Sequence, residues 1–531
     1  MAGLRRALVA IAAALALADA SIVALALPPI LVEFDTSITG AAAIIGVYAL
    51  VLAASLWPAR RLRPGPAGLL VFAAASVGCA LAPNLWLMLV FRALQAAGAA
   101  AALLTAYEAL EAGESHTGRR WWLGAALIGT AAGPAIGGAL TEVFDWRAIF
   151  VVQVPLALAA AWACRAPITQ HPPKPGPEAE PRSLVALAFT TAAFTAVLFL
   201  LVIELVAGFA ISPLRAALGV SVLPVAALAA AALPGPPRAR ALGGALLLAG
   251  GGVALAFLPA PTVAWTIVPQ ILAGAGMGLA LPALSPERDL TEAARTLVAR
   301  HVGIVLVLAI LAPIATAQLN SATDEAILKG ASLVLDAQID PLQKLELAPA
   351  LLDDVSTAEP RASLTSAVEA RRADFTDNAA VYDRLGQRLD DVVVTAVLDA
   401  FQTAYLIAAA LAILAALTLL TAARRPAIAL AAAVAVGCAV IYVVERGEQA
   451  PPAVTLADPC NPRVVPGTSG IAGAIQDRVL SQLNRSACRI GVTREELALA
   501  IFDAGRARDF QAEHGVDPRS TIDLLSLLGG G

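Results

Sequence analysis

Residues 184 to 210 read LVALAFTTAAFTAVLFLLVIELVAGFA, and Glu204 is the one charged residue among these 27. As an α-helix, which rises about 1.5 Å per residue, this stretch is long enough to cross the ~30 Å hydrocarbon core of a bilayer. It therefore predicts a transmembrane helix.

Comparable apolar stretches recur along the chain and predict an all-α, polytopic membrane protein with about thirteen spans. Hydrophobic residues make up 59% of the chain and charged residues 14%, far below the roughly 25% charged residues of a soluble domain. The first stretch is interrupted only by Asp19. The predicted spans are 7–32, 38–57, 67–82, 85–110, 121–144, 148–164, 184–210, 216–233, 242–258, 263–284, 297–317, 396–422 and 427–444.

The distribution of basic residues between these spans predicts the orientation, because short cytoplasmic loops are enriched in Lys and Arg. The loops on the N-terminal side are basic, whereas the opposite loops hold mainly acids and few basic residues beyond Arg147 and Arg215. The basic set is Arg5, Arg6, Arg60, Arg61, Arg63, Arg119, Arg120, Arg165, Lys174, Arg182, Arg238, Arg240, Arg288, Arg295, Arg424 and Arg425. We therefore expect a multi-pass cell-membrane protein with a cytoplasmic N-terminus and, given an odd count, an extracytoplasmic C-terminus.

The N-terminus also allows a second interpretation. Arg5 and Arg6, the apolar run and the small-residue pattern around Asp19 are typical of a cleaved signal peptide. Cleavage there would leave residues 21–32 as an apolar stub too short to span a bilayer, whereas the uncut helix has a normal length. The uncut span is the favoured interpretation.

The cysteines divide according to this topology. Cys79, Cys164 and Cys438 lie in or at the end of predicted spans, while Cys460 and Cys488 lie in the tail predicted to be outside the cytoplasm. Disulfides persist in such oxidising compartments. The sequence predicts a Cys460–Cys488 disulfide, with two unrelated free thiols as the alternative.

The domain organisation follows from the spans. We expect an N-terminal six-helix bundle at 1–165, a Pro-rich cytoplasmic linker at 166–183 and a C-terminal six-helix bundle at 184–422. This second bundle includes an extracytoplasmic insert of amphipathic helices at 318–395. It is followed by an extra span at 423–445 and by an extracytoplasmic tail at 446–531. Neither soluble segment carries a metal-ligand cluster, a nucleophile elbow or a phosphate loop. We expect no enzyme activity, cofactor, metal or nucleic-acid partner, although the outer segments could bind a protein.

The two bundles also show weak internal similarity. Aligning Gly98 with Gly276 sets Arg92 against Gln270, with small residues on both sides. Parallel repeats of six helices are typical of transporters whose substrate site lies between two bundles.

Four motifs resemble the major facilitator superfamily, specifically its fourteen-span drug/proton antiporter branch. Asp19 ahead of SIVALALPPI (21–30) looks like the family's first-span motif, and CALAPNLW (79–86) with RALQAAG (92–98) is similar to its motif B. GTAAGPAIGG (129–138) matches antiporter motif C, and DWRAIF (145–150) continues it. The resemblance covers about residues 7–165 well and the second half loosely.

Motif C has a physical reason of its own. Gly129, Gly133 and Gly137 lie four residues apart on one helical face, which permits close approach of a neighbouring helix. Pro134 removes a backbone donor and bends the helix, and Gly138 extends the run of small residues. Such small-residue spacing is also common in ordinary membrane-helix packing. The alternatives are a gating seam and a simple contact between helices.

Asp19 and Arg92 are the candidate proton-coupling residues, because a charge at mid-membrane is costly and usually faces water or a partner. The resemblance implies that the two pair within one bundle; a purely structural ion pair is the alternative. Cavity candidates are Tyr48, Gln95, Glu204, Trp265 and Gln270, although Glu204 could snorkel and the aromatic residues could serve packing. His301, beside Arg300, is expected at the membrane interface.

One loop departs from the family. Its pattern between spans two and three, Gly-x-Leu-Ala-Asp-Arg-x-Gly-Arg-Arg, includes an acid that helps to latch the two halves, but residues 60–66 read RRLRPGP. Two hypotheses follow. The first is a proton-coupled exporter of small, amphipathic organic molecules working by alternating access. The second is a non-transporting membrane scaffold or sensor that acts through its outer segments.

Overall fold

The computed structural model describes residues 2–23, 26–165, 180–285, 288–339, 343–344, 347, 360–420, 426–461 and 470–521, and in these ranges it contains helices and no strand. The chain forms two compact units. Unit 1 comprises Met1–Gln318 with Ala400–Gln449, and unit 2 comprises Leu319–Asp399 with Ala450–Gly531. The all-α prediction is confirmed.

Unit 1 holds the apolar helices. Their bounds are α1 Ala2–Ile22, α2 Leu27–Glu33, α3 Ile38–Leu62, α4 Pro66–Ala80, α5 Leu85–Ala109, α6 His116–Val143, α7 Ala148–Ala163, α8 Pro181–Ile203, α9 Pro213–Val220, α10 Val222–Ala231, α11 Pro237–Ala256 and α12 Val263–Leu284. Helix α13, Leu290–Asp336, contributes to both units, as does α15, Ala379–Leu419, and α16, Pro426–Gln449, belongs to unit 1.

Within the described residues, every predicted span overlaps one helix or two consecutive helices. Within the described ranges, nine helices are long and apolar enough to cross a membrane, or ten if the bent helix α6 counts as one span. Helices α4 and α7 are apolar but shorter. Helix α1 is not among the nine, because every stretch of 18 residues within its 21 residues contains Arg5, Arg6 and Asp19.

The first half of unit 1, which comprises α1 to α7, and its second half, which comprises the helices from α8 onward in unit 1, repeat one close helix crossing. In the first half, a Cβ on Gly98 would lie 2.8 Å from the carbonyl oxygen of Gly68 on α4. In the second half, a Cβ on Gly276 would lie 2.6 Å from the carbonyl oxygen of Gly244 on α11. Both distances are shorter than real Cβ contacts, so each crossing requires glycine. The two glycines aligned from sequence occupy equivalent positions.

Helix α16 is an additional apolar helix beside the second half. It packs against α11 where Gly250 meets the backbone of Ala435, and the hydroxyl of Tyr442 donates a 2.6 Å hydrogen bond to the carbonyl of Trp265. Leu430 and Val436 on its other face are exposed. Exposed aliphatic side chains on such an apolar helix suit contact with lipid tails.

Unit 2 combines the insert and the tail, which are separate segments of the sequence. It contains the end of α13, the beginning of α15 and the helices α14 Pro360–Arg371, α17 Gly470–Ile490, α18 Arg494–Phe502 and α19 Ala504–His514. Cys460 and Cys488 form a disulfide, with their Cα atoms 4.9 Å apart, so this prediction is confirmed.

A buried ion network joins the two segments of unit 2. Arg494 on α18 lies 3.0 Å from a carboxylate oxygen of Asp336 at the end of α13 and 2.7 Å from Glu495. Both Arg494 and Glu495 are fully buried. A buried charge requires an oppositely charged partner. The Arg494–Asp336 pair joins a residue of the tail to a residue of the insert. Long-range contacts of this kind explain why the two segments fold together.

Candidate functional site

A cluster of polar side chains lies inside the first half of unit 1, where α1, α4, α5 and α7 meet. Its members share complete burial within largely apolar helices. They are Asp19, Ser76, Arg92, Gln95 and Gln153. Polar groups removed from water must find hydrogen-bonding partners, so their convergence is a specific feature of the fold.

Arg92 lies at the centre of this cluster. Its Nη1 forms an ion pair with Asp19 and donates a 2.7 Å hydrogen bond to Oε1 of Gln95. Its Nε donates to the carbonyl of Ile44 at 3.2 Å, and its guanidinium carbon lies 4.4 Å from the centre of the Tyr48 ring. The cation is therefore held by a carboxylate, an amide, a backbone carbonyl and an aromatic face.

Asp19 is held from its other side by two amides. Gln153 Nε2 donates a 2.6 Å hydrogen bond to Oδ1 of Asp19, and Gln95 Nε2 approaches the same oxygen at 3.4 Å. Gln95 Nε2 also lies 2.8 Å from both Ser76 Oγ and Gln153 Oε1. The network supports a carboxylate, which accepts hydrogen bonds. Protonation of Asp19 would weaken its attraction to Arg92 and change the set of donors and acceptors.

Sequence reasoning missed Gln153 and Ser76. Gln153 is the one amide in the apolar stretch of α7, and that isolation is the signal that could have identified it. Ser76 has no comparable signal, because its hydroxyl also donates to the Phe72 carbonyl one turn earlier, as serine does in ordinary membrane helices.

Glu204 forms a second buried acidic position, in the second half of unit 1. It is 1% exposed, and its carboxylate accepts a 2.6 Å hydrogen bond from the hydroxyl of Tyr405 on α15. The snorkelling alternative is therefore wrong, because a tyrosine 201 positions away encloses the carboxylate. Glu204 also begins a π-helical turn, Glu204–Gly208, a geometry that often occurs at functional positions.

The remaining cavity candidates occupy separate places. Tyr48 is buried against Arg92, and its hydroxyl donates to the Ala16 carbonyl at 2.7 Å. Gln270 is buried and donates to the Thr266 hydroxyl at 2.9 Å, while Trp265 packs edge-to-face on Tyr442. Tyr48 and Gln95 thus join the cluster. Gln270 and Trp265 belong to the second half.

A small cavity of about 40 Å³ lies between the two halves, beside the α1 helix that carries Asp19. It is lined by Leu17, Ser21, Phe194, Phe199, Arg300 and His301, among others. Arg300 and His301 are 5% and 2% exposed, so protein encloses both side chains, and the expected position of His301 at the membrane interface stays a prediction. Helix α13 packs against α8 at this point, where the Thr191 hydroxyl donates to the Arg300 carbonyl at 3.3 Å and a Cβ on Gly303 would clash with the Ala188 carbonyl.

The glycines of α6 form a seam against α1. A Cβ on Gly129, Gly133 or Gly137 would clash with Ala14, Ser21 or Ile22, respectively. Pro134 and Gly138 are also buried, and α6 bends by 50° between Gly129 and Gly133. The hydroxyl of Ser21 donates to the Gly129 carbonyl at 3.2 Å. This seam therefore holds the helix that bears Asp19.

Comparison with solved structures identifies the same architecture elsewhere. A crystal structure of a bacterial homologue of the human lysosomal transporter Spinster, inward-facing and unoccupied, superposes with a TM-score of 0.51 at 17% identity. The match covers 80% of this chain and 99% of that one. At this identity the likeness shows the fold.

Curated relatives match this chain over limited segments. The multidrug resistance protein Stp of Mycobacterium tuberculosis is 33% identical over 150 residues, 26% of this chain and 28% of Stp. The multidrug efflux pump LfrA of Mycolicibacterium smegmatis is 34% identical over 189 residues, 33% of this chain and 36% of LfrA. The matched segments thus cover only about a third of these relatives. The profile of the Major Facilitator Superfamily matches residues 9–286, which is more than half of the sequence, and the chain belongs to that superfamily.

Proposed function

We propose that this protein is a proton-coupled exporter of small amphipathic molecules, with Asp19 as the proton carrier and Arg92 as its electrostatic modulator. The observation that carries the proposal is the buried Asp19–Arg92 pair and its amide network. An ionisable pair inside the membrane is expensive to maintain and marks ion pathways in transporters.

Protonation of Asp19 would be transmitted through α1. The ion pair with Arg92 and the hydrogen bond from Gln153 both attach α1 to its neighbours. The same helix packs on α6 through Ser21 and Gly133. When the carboxylate gains a proton, its attraction to Arg92 falls while the glycine seam still permits sliding. The protonated and ionised forms then favour different positions of α1.

Alternating access requires contacts between the two halves that form and break, and contacts between the halves near both ends of unit 1 support it. At one end, Arg60 Nη1 donates to Thr291 Oγ1 at 2.8 Å, and Arg119 Nη2 donates to the Ser285 carbonyl at 3.0 Å. At the other end, the Thr39 and Thr316 hydroxyls lie 3.5 Å apart. Arg60 belongs to the loop that lacks the family's acid, so this latch would use a basic residue instead.

The residues that line the small cavity between the halves, together with the names of the relatives, suggest the substrate class. Phe194 and Phe199 offer aromatic faces, Leu17 an apolar one, and Ser21 and His301 polar groups. Such a lining suits amphipathic organic molecules. Stp is named for multidrug resistance and LfrA for multidrug efflux, and the shared segments motivate the same substrate class here.

The topology is part of the proposal. The insert and the tail belong to one compact unit, so they lie on one side of the membrane, as the thirteen-span topology requires. The Cys460–Cys488 disulfide supports an oxidising compartment for that unit. The N-terminus is then cytoplasmic and unit 2 is extracytoplasmic.

A non-transporting scaffold or sensor is the second candidate. The altered loop at Arg60 and the size of unit 2 favour it, because both depart from the antiporter pattern. Unit 2 would then bind a protein partner outside the cytoplasm. The two candidates differ in one measurable property, which is vectorial flux.

The test is flux of a panel of amphipathic compounds in proteoliposomes under an imposed pH gradient. We expect gradient-driven flux in the wild type and its loss in Asp19→Asn, with Glu33→Gln, which changes a half-exposed carboxylate, as the control. Flux unchanged in Asp19→Asn would remove the proton role of Asp19. No flux of any compound in the wild type would favour the scaffold.

A further inference from the structure

Unit 2 contains an apolar cavity between the insert and the tail. Its volume is about 130 Å³, and its walls come from the end of α13, the beginning of α15 and α18. The wall includes Ile327, Val334, Leu389, Val393, Leu499 and Phe502. Protein interiors are close-packed and contain few voids larger than a water molecule. A cavity of roughly 150 Å³ lined by such side chains holds a benzene molecule, so this one suits a ring or a short alkyl chain.

Two polar side chains also line the cavity, and they differ in capacity. The Thr323 hydroxyl donates a 2.8 Å hydrogen bond to the Leu319 carbonyl of its own helix. Lys344 is 7% exposed, and among the described residues its Nζ makes one hydrogen bond, to the Leu335 carbonyl at 2.8 Å. An ammonium group carries three donors and no acceptor. The residues that line the cavity therefore include a cationic side chain with donor capacity for an anion.

Lys344 stays mostly protonated at neutral pH although its surroundings lower its pKa. Burial lowers the pKa of Lys344 to about 8, while the charge of Asp336 acts to raise it and that of Arg494 to lower it. Asp336 is itself ion-paired with Arg494 at 3.0 Å. At pH 7 the amine is thus mostly an ammonium, and its desolvation makes an additional anion favourable.

We propose that this cavity binds a small amphipathic carboxylate, with its apolar part among the aliphatic walls and its carboxylate on Nζ of Lys344. The chemistry is complementary, since an apolar enclosure with a single ammonium on its wall matches a short alkyl or aryl acid. An uncharged alcohol of equal length loses the ionic contact, and an amine is repelled. The inference concerns binding to unit 2 and does not depend on transport by unit 1.

The experiment uses the full-length protein in lipid nanodiscs with hexanoate carrying a diazirine, followed by irradiation and peptide mapping. We expect cross-links in α13 after residue 319, at the beginning of α15 or in α18. Unlabelled hexanoate should compete, and hexan-1-ol and hexylamine should compete at least five-fold less well. Cross-links confined to other segments, or equal competition by all three compounds, would overturn the proposal.

Two variants test the charge of Lys344 and the volume of the cavity separately, and a third serves as a control. Lys344→Met keeps the length of the side chain and should reduce labelling at least five-fold, whereas Lys329→Met, which removes a lysine paired with Glu325, should not. Ala331→Phe adds a ring to the cavity wall and should block labelling. Labelling unchanged in Lys344→Met would refute the role of the ammonium even if Ala331→Phe fails to fold.

The pH dependence is an independent readout. Raising the pH from 7 to 9.5 crosses the lowered pKa of Lys344 while hexanoate stays ionised, so labelling should fall in the wild type. The Lys344→Met variant should show no such fall, although Asp336 and Arg494 are still present beside the cavity. The same pH dependence in both proteins would contradict the assignment.

Discussion

Removing one partner of the Asp19–Arg92 pair should destabilise the protein far more than removing both. In Asp19→Asn the side chain keeps nearly the same shape, but the fully buried guanidinium of Arg92 loses its counter-charge. Breaking a buried ion pair in this way costs about 3–5 kcal/mol, because an uncompensated charge stays in a low-dielectric site. Its other contacts, to Gln95 and the Ile44 carbonyl, are made with neutral groups.

The double variant Asp19→Asn/Arg92→Gln removes both charges together. Replacing an entire buried pair by neutral groups is often close to neutral in stability, so the double variant should be no less stable than Asp19→Asn alone. The Arg147–Glu33 pair provides the control, since its side chains are about one-third exposed. Such exposed pairs contribute only about 0.2–1 kcal/mol, so Arg147→Gln should have a small effect.

The assay is a double-variant cycle on the free energy of unfolding, measured by denaturant titration in mixed micelles. The cycle isolates the coupling between the two residues. A coupling of about 3–5 kcal/mol is expected for Asp19 and Arg92. If the two single variants add to give the double variant, the pair is not energetically coupled, and the charge network cannot transmit protonation as proposed.

Three further predictions concern separate contacts. Gly133→Leu should lower the free energy of unfolding by about 1–3 kcal/mol, because the leucine would overpack against Ser21 and Ile22. The control Gly124→Leu on the same helix should have little effect, because a Cβ there meets no atom within 4 Å. Equal unfolding curves for the two variants would contradict close packing at Gly133. Non-reducing peptide mapping should recover the Cys460–Cys488 pair. Cys488→Ser should destabilise unit 2 by roughly 3–4 kcal/mol, because the disulfide closes a loop between cysteines 28 residues apart. Free thiols at both positions would contradict the fold of the tail. Arg60→Ala removes the hydrogen bond to Thr291, so it should lengthen the distance between spin labels placed on the two halves near Thr291. Arg61→Ala, which changes an exposed arginine, is the control. Identical distances in the two variants would exclude the proposed latch at Arg60.

The helices of unit 1 were predictable because their signal is local. A long apolar stretch must form a helix in a bilayer, since backbone groups have no water to bind there. The motif containing Arg92 and the mid-span position of Asp19 were equally local, and these two residues do pair. The glycine alignment worked for a related reason, because a close crossing excludes every other side chain at Gly98 and Gly276.

The features that escaped prediction depend on distant residues. Gln153 joins the cluster only because α7 packs beside α1 and α5, a geometry that hydrophobicity does not encode. Glu204 could be exposed or buried until Tyr405 is placed next to it. The insert and the tail fold into one unit in which Arg494 forms an ion pair with Asp336, 158 positions away. Pairings over such separations follow from the tertiary fold and leave no periodic pattern in the sequence.

Under the proposed mechanism, substrate and protons move in opposite directions through unit 1. Proteoliposomes that hold a pH-sensitive dye report this exchange when a substrate gradient is imposed without any initial pH difference. We expect proton movement against the substrate flux in the wild type and no proton movement in Asp19→Asn. Substrate flux in the wild type that proceeds without proton movement, or proton movement that persists in Asp19→Asn, would contradict this mechanism.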